Sequence, residues 1–305
     1  MSKSVLGIVL GCCAAGMAAA ESGLSTTLQL GYRVDNLDWN IAGNLSGQQP
    51  NVLSELRWSD LQAPQLKLAV SAHLAGFEVR GRLAYGVIVK GDNQDSDYAS
   101  DDRGGEFSRT NNAGGGELAD ASLGLGRKFY TSNGKGKLSS YFMPMLGYAI
   151  HIQDLQLSDA FQTIPATGAF SGLNSRYDAE WQGGWVGLVM GEANMETGFE
   201  VELSLIYQRV DFQAEADWNL RDDFAHPKSF EQLARGDGFS LSLNGRVPVA
   251  DAKNQFWIFG FDYGRWQTSA GLDTTYFADG SNDTTRLNRV RWQSSAINLG
   301  LEWRM

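Results

Sequence analysis

The sequence predicts an all-β protein: a closed antiparallel transmembrane β-barrel of about ten strands. Three observations carry this. Apolar and polar residues alternate with period two along most of the chain, the mark of strands buried on one face. The gaps between these stretches are alternately short and long, as turns on one side of a barrel and loops on the other would be. The alternation also runs to the end: in "INLGLEWRM" Ile297, Leu299, Leu301, Trp303 and Met305 share one side, opposite Asn298, Gly300, Glu302 and Arg304. In lipid a strand edge cannot stay open, so the last strand is expected to pair with the first.

Taken in order, "MSKSVLGIVLGCCAAGMAAAES" reads as a secretory signal over residues 1–20. Lys3 supplies the charged start, Val5 to Leu10 the apolar stretch, and Ala18-Ala19-Ala20 the cleavage site before Glu21. A membrane anchor is the alternative, but the stretch is too short to span a bilayer. A lipoprotein signal ending at Cys12 is another, and Leu10 fits that pattern poorly. Cys12 and Cys13, the two cysteines of the chain, both lie in this segment, so the domain over 21–305 is expected to have no disulfide.

Strands are expected at roughly 25–43, 51–74, 77–90, 116–130, 137–155, 176–191, 197–218, 237–249, 255–273 and 288–305. In "FEVRGRLAYGVIV", Phe77, Val79, Leu83, Tyr85, Val87 and Val89 oppose Glu78, Arg80 and Arg82. In "FEVELSLIY", Phe199, Val201, Leu203, Leu205 and Tyr207 oppose Glu200, Glu202 and Ser204. Trp257, Phe259, Phe261 and Tyr263 suit an interfacial girdle. The short connections are Ala75-Gly76, "TSNGKGK", "EANMET" and "ADAKN"; the longest others are near 91–115 and 156–175. The apolar face then meets lipid. Glu78, Arg80, Arg82, Glu200, Glu202 and Arg246 fill a narrow lumen and pair with one another, and His73 and His151 point into it. Barrels of this size lack the wide channel of porins.

The formal net charge of −10 argues against nucleic-acid binding, which wants a basic face. There is no Walker A pattern, no G-x-S-x-G and no zinc-type Cys/His set, so neither a cofactor nor a metal is expected. The third histidine, His226, lies in the outside loop "NLRDDFAHPKSF" with Asp222 and Asp223. Another outside loop, "GDNQDSDYASDD", holds Asp95 and Asp97 around Ser96. Acidic loops are usually solvated surface. Two crowded carboxylates can also polarise a water, and a His paired with an Asp can act as a base.

These residues resemble those of the omptins, outer-membrane endopeptidases on a ten-stranded barrel. Asp95 and Asp97, followed by Tyr98, match the omptin D-x-D pair, and "SELRW" at 54–58 is similar to the omptin second strand. The omptin D-x-H pair is replaced by Asp223-Phe-Ala-His226, one residue longer. The resemblance implies an outer-membrane barrel of a Gram-negative-type bacterium with its loops at the cell surface. Its candidate site is Asp95, Asp97, Asp223 and His226, for a peptide or host-protein substrate. Omptin-like barrels without peptidase activity, as adhesins or envelope-structural proteins, are the alternative, and a small-solute channel a third. "NLGLEWRM" resembles the C-terminal signal read by the outer-membrane assembly machinery, with Met305 where an aromatic usually stands. Omptins use lipopolysaccharide as a lipid activator. Arg265 and Arg291, with Arg209 assisting, fall where the apolar band should give way to headgroups, and are the candidates to hold a lipid A phosphate.

Overall fold

The computed structural model describes residues 23–132 and 137–305. The signal segment lies outside the described residues, as does most of the "GKGK" turn. The elements are β1 (Leu24–Ile41), β2 (Ser54–Leu74), β3 (Phe77–Ile88), β4 (Lys90–Ser100), β5 (Gly104–Gly126), β6 (Phe129–Ser132), β7 (Leu138–Ile164), β8 (Gly168–Ala169), β9 (Ser175–Asn194), β10 (Glu200–Asp217), β11 (Phe230–Pro248), β12 (Gln255–Thr268), β13 (Gly271–Tyr276) and β14 (Asn282–Arg304). One 3-10 turn, Asp101–Arg103, joins β4 to β5.

All pairings are antiparallel, and they close. With β3 and β4 forming one stave, and β12 and β13 another, ten staves run in chain order around a ring. The ring shuts where β14 meets β1, with Leu28 opposite Leu301 and Tyr32 opposite Ile297. The Met305 N–H donates to the Leu24 carbonyl at 2.8 Å, so the closing strand is paired to its last residue. The turns at Ala75-Gly76, "EANMET" and "ADAKN" are where the sequence puts them, and the "TSNGKGK" turn lies mostly outside the described residues. The strands beyond the longer loops run further than expected: residues 91–115 are mostly a regular β4–β5 hairpin, and β11 begins at Phe230.

The hydrophobic pattern changes phase partway up the wall while the side chains keep alternating. On β1 the lower outward positions are Leu28, Leu30 and Tyr32, all exposed, alternating with inward Thr27 and Gln29. Higher up the outward residues are Asn36 and Asp38, and Leu37 and Trp39 are buried inside. Strands β9, β10 and β14 do the same: Val186, Tyr207 and Ile297 face out below, and Trp181, Phe212 and Trp292 face in above. Lipid wants apolar residues outside and water wants them inside, so the switch marks where the wall leaves the membrane. Exposed Tyr32, Tyr85, Tyr148, Tyr207 and Phe239 stand just below it, as an outer girdle.

The lumen is filled in layers. The lowest is ionic, as the sequence suggests, but the expected set does not pair only with itself: Glu200 is taken by Arg304, and among the described residues Arg82 joins no ion pair. Arg304 holds Glu200 at 2.6 Å, Arg246 holds Glu302 at 2.7 Å, and Arg80 grips Glu202 with two 2.8 Å bonds. Above it Arg33 bonds Asp35 and Asp120. His151 points inward, as its parity requires, and bonds Asp120 at 2.8 Å beneath the stacked pair Trp266–Trp292, whose centroids are 3.9 Å apart. Over these lies an apolar plug drawn from the whole ring, including Leu37, Leu56, Trp58, Tyr177, Trp181 and Phe212. The sequence predicts a lumen filled largely by charges. The aromatic plug adds a seal that leaves no wide aqueous passage and argues against the solute-channel reading.

Candidate functional site

The plug has a polar lid, the extracellular mouth, and the D-x-D pair is part of it. Asp95 and Asp97 stand on the regular strand β4, not in a loop. Asp95 is opposite Leu56 on one side and Thr110 on the other; Asp97 is opposite Ser54 and Ser108. Leu56 is fully buried in the plug, so the face it shares with Asp95 is the inward one. Two carboxylates thus enter a half-buried mouth two residues apart. Burial, then the charge of Asp97, push Asp95 up to about 8, against the pull of Arg221 and the Trp218 indole. Asp97 is raised as well by burial, opposed by Ser54, Arg221 and Ser108. At neutral pH the pair therefore holds a proton.

The cation whose charge acts on both aspartates is Arg221, from the loop between β10 and β11. Arg221 also makes a two-bond pair with Asp223, at 3.0 and 2.9 Å, which holds the Asp223 carboxyl below its ordinary value. The expected Asp223–His226 pair does not form. His226 Nδ1 instead bonds Asp217 Oδ1 at 2.6 Å, and that bond raises the imidazole's pKa. Asp217 continues the outward series Asp211, Gln213 and Glu215, so the His–Asp dyad is held toward the outside of the rim. The extra residue in D-x-x-H is the physical reason: Asp223 turns to Arg221 and leaves the imidazole to a carboxylate nine positions back. The structure brings Asp95 and Asp97 together and joins His226 to neither by a hydrogen bond. Asp217, Trp218 and Arg221 are the members sequence reasoning misses. Asp217 ends a regular strand and carries no motif, and the quoted loop gives Arg221 no signal.

The arginines proposed for lipid sit on the outward face just above the girdle. Arg265 is exposed, opposite Phe239 and Gln293. Arg291 is held by Asp38 through contacts of 2.9 to 3.1 Å, and lies opposite Gln267. Arg265 and Arg291 are therefore diagonal neighbours on adjacent strands. Arg209 is opposite Asp237.

A membrane-spanning ring, aromatic girdle and closed lumen are those of an outer-membrane protein, and comparison with known proteins agrees. The family described as "Pom: Protochlamydia outer membrane protein" matches residues 27–305. The chain belongs to that family. Its place is the outer membrane. Among solved structures it is similar to the outer membrane protease OmpT from Escherichia coli, at 12% identity and a TM-score of 0.77, over 95% of this chain and 99% of that one. The fold is thus omptin-like, as the resemblance implies. The translocator domain of the autotransporter NalP from Neisseria meningitidis also matches, at 12% identity and a TM-score of 0.38, over 99% of this chain and 95% of that one. No curated protein matches in sequence.

Proposed function

We propose that this Pom protein is a non-catalytic surface barrel, serving adhesion or envelope structure through its extracellular mouth. One observation carries the reading: the charge of the chain's own Arg221, rather than that of His226, acts on the Asp95/Asp97 pair, and His226 is engaged by Asp217 on the rim's outward side. A general base must reach the proton it takes. Hydrolysis by water held between the acid pair and the imidazole would need the 218–229 loop to rearrange.

Endopeptidase activity is the second reading. It is favoured by the D-x-D pair turned into the mouth, with the fold of a protease around it. A diverse peptide library incubated with the purified barrel and lipopolysaccharide separates the two. The expected result is no cleavage, by the wild type or by Arg221→Ala. Cleavage that Asp97→Ala and His226→Ala abolish would establish the peptidase. Cleavage by Arg221→Ala alone would mean a peptidase masked by its own arginine.

Lipopolysaccharide binding at Arg265, with Arg291 and Arg209 at the same level, belongs to the same proposal, since a guanidinium above an aromatic girdle suits a phosphate. Retention of co-purifying lipopolysaccharide by Arg265→Ala with Arg291→Ala would remove it. Export would take off residues 1–20, and the assembly machinery would read the end of β14. N-terminal sequencing of the inserted protein, and its yield after deletion of Trp303–Met305, check these two steps.

A further inference from the structure

One luminal cation lacks a counter-charge. Among the described residues, Arg33, Lys67, Arg80, Lys128, Arg246 and Arg304 each hold a carboxylate. Arg82, on the inward face of β3 between Ala69 and Ser122, makes no ion pair and no side-chain hydrogen bond. The carboxylates nearest in charge, Asp262 and Glu202, are taken: Asp262 by Lys67, Ser242 and Asn298, and Glu202 by Arg80 and Tyr141. Arg82 is half-buried, and a guanidinium cannot shed its charge, so an anion beside it would be held by that charge.

The space beside it is built for a small one. Arg82 lines three cavities, of about 160, 20 and 60 Å³. The smallest is also lined by Ser122, Ser204 and Trp185. Ser204 is 2% exposed, and its hydroxyl has no hydrogen-bond partner. The Ser122 Oγ accepts the Trp185 Nε1–H at 3.2 Å, which leaves its own O–H free to donate. A buried hydroxyl without a partner costs stability, and a half-buried charge gains from an opposite one. A single monatomic anion would answer both. The volume is that of about one water-sized sphere.

We propose that the lumen binds one halide-sized anion, chloride in the cell, between the Arg82 guanidinium and the Ser204 and Ser122 hydroxyls. Arg82 lines the two larger cavities as well, so it borders all three. Oxyanions such as sulfate exceed the smallest cavity.

The test uses the purified, detergent-folded barrel, with sodium chloride, bromide, sulfate or gluconate at matched ionic strength. The melting temperature should rise saturably with chloride and bromide and not with sulfate or gluconate. Chloride NMR lines should broaden with the protein and sharpen on adding bromide. Ser204→Ala keeps the charge and should weaken half-saturation by roughly ten- to a hundredfold, the loss of one hydrogen bond to a charged group. Arg82→Gln should abolish the response. Equal melting in chloride and gluconate, or an unchanged halide response in Arg82→Gln, would overturn the proposal. Should Arg82→Gln not fold, wild-type crystals grown in bromide decide: an anomalous peak against Arg82 and Ser204 supports the site, and no peak there overturns it.

Discussion

Burial in the mouth, and then the charge of Asp97 beside it, let Asp95 keep its proton at neutral pH. This sets a sign for pH. Its folded value of about 8 lies above the ordinary carboxylate value of 3.8. Between those values the native state binds more protons than the unfolded one, so stability falls as pH rises. His226 works in the same direction. Its pKa is raised by Asp217, so its contribution is complete below the ordinary histidine value and is lost as pH climbs through the raised one. Thermal unfolding should therefore move to lower temperature between pH 5 and pH 9. Asp95→Asn should flatten most of that slope, and His226→Gln a smaller part. Arg221→Gln should steepen it, because Arg221 is the cation that lowers both aspartates. A slope unchanged in Asp95→Asn would mean that the carboxyl ionises freely.

At the scale of the element, the strands were legible because a barrel wall is a period-two object, and each stave carries its own evidence. Residues 197–207 and 297–305 show both faces in the letters alone. What stayed hidden is the upper third of each stave. There "NLDWNI" and "RYDAEWQ" still alternate, but the apolar set has moved to the inside. Alternation alone does not say which face is which. The candidate site fared worse because its partners are set by loop geometry. The pairings Arg221–Asp223 and Asp217–His226 follow from how 218–229 folds back, and no local period encodes that. The hidden upper third has a stability consequence. Trp292 is 1% exposed, stacks on Trp266 and donates to Asp35 at 2.8 Å. Trp292→Ala should cost about 3–5 kcal/mol in reversible unfolding, the range for deleting a buried aromatic. Gly238 shows the same packing from the backbone side: an added Cβ would lie 2.0 Å from the Trp266 ring. Gly238→Ala should therefore destabilise as well. Values under 1 kcal/mol for both would mean that the plug is loosely packed.

For the whole molecule, the phase change divides the barrel into a lipid-clad lower part and a wall standing free above the membrane. The upper wall is polar outside and carries a row of carboxylates across five strands: Glu117 opposite Asp154, Asp154 opposite Asp178, Asp178 opposite Glu215, and Glu215 opposite Glu231. Burial and the hydrogen bond and charge of Asp154 push Asp178 up to about 7, and Lys228 bridges Glu215 and Glu231. No lipid tail could cover such a row, since a bilayer core excludes clustered charge. Water must therefore reach residues only a few rungs above the girdle. Single cysteines can read this boundary, placed in a background with Cys12 and Cys13 replaced by serine. A membrane-impermeant maleimide on intact cells should label Asp178→Cys and Gln213→Cys. It should not label Val186→Cys or Leu299→Cys, whose side chains lie 59% and 49% exposed on the apolar band. Adding detergent leaves those two beneath a micelle in place of lipid, so they should stay slow. Equal labelling of all four positions would mean that the apolar band is not in lipid. Silence at Asp178→Cys and Gln213→Cys would place the membrane boundary higher on the wall, at the rim itself.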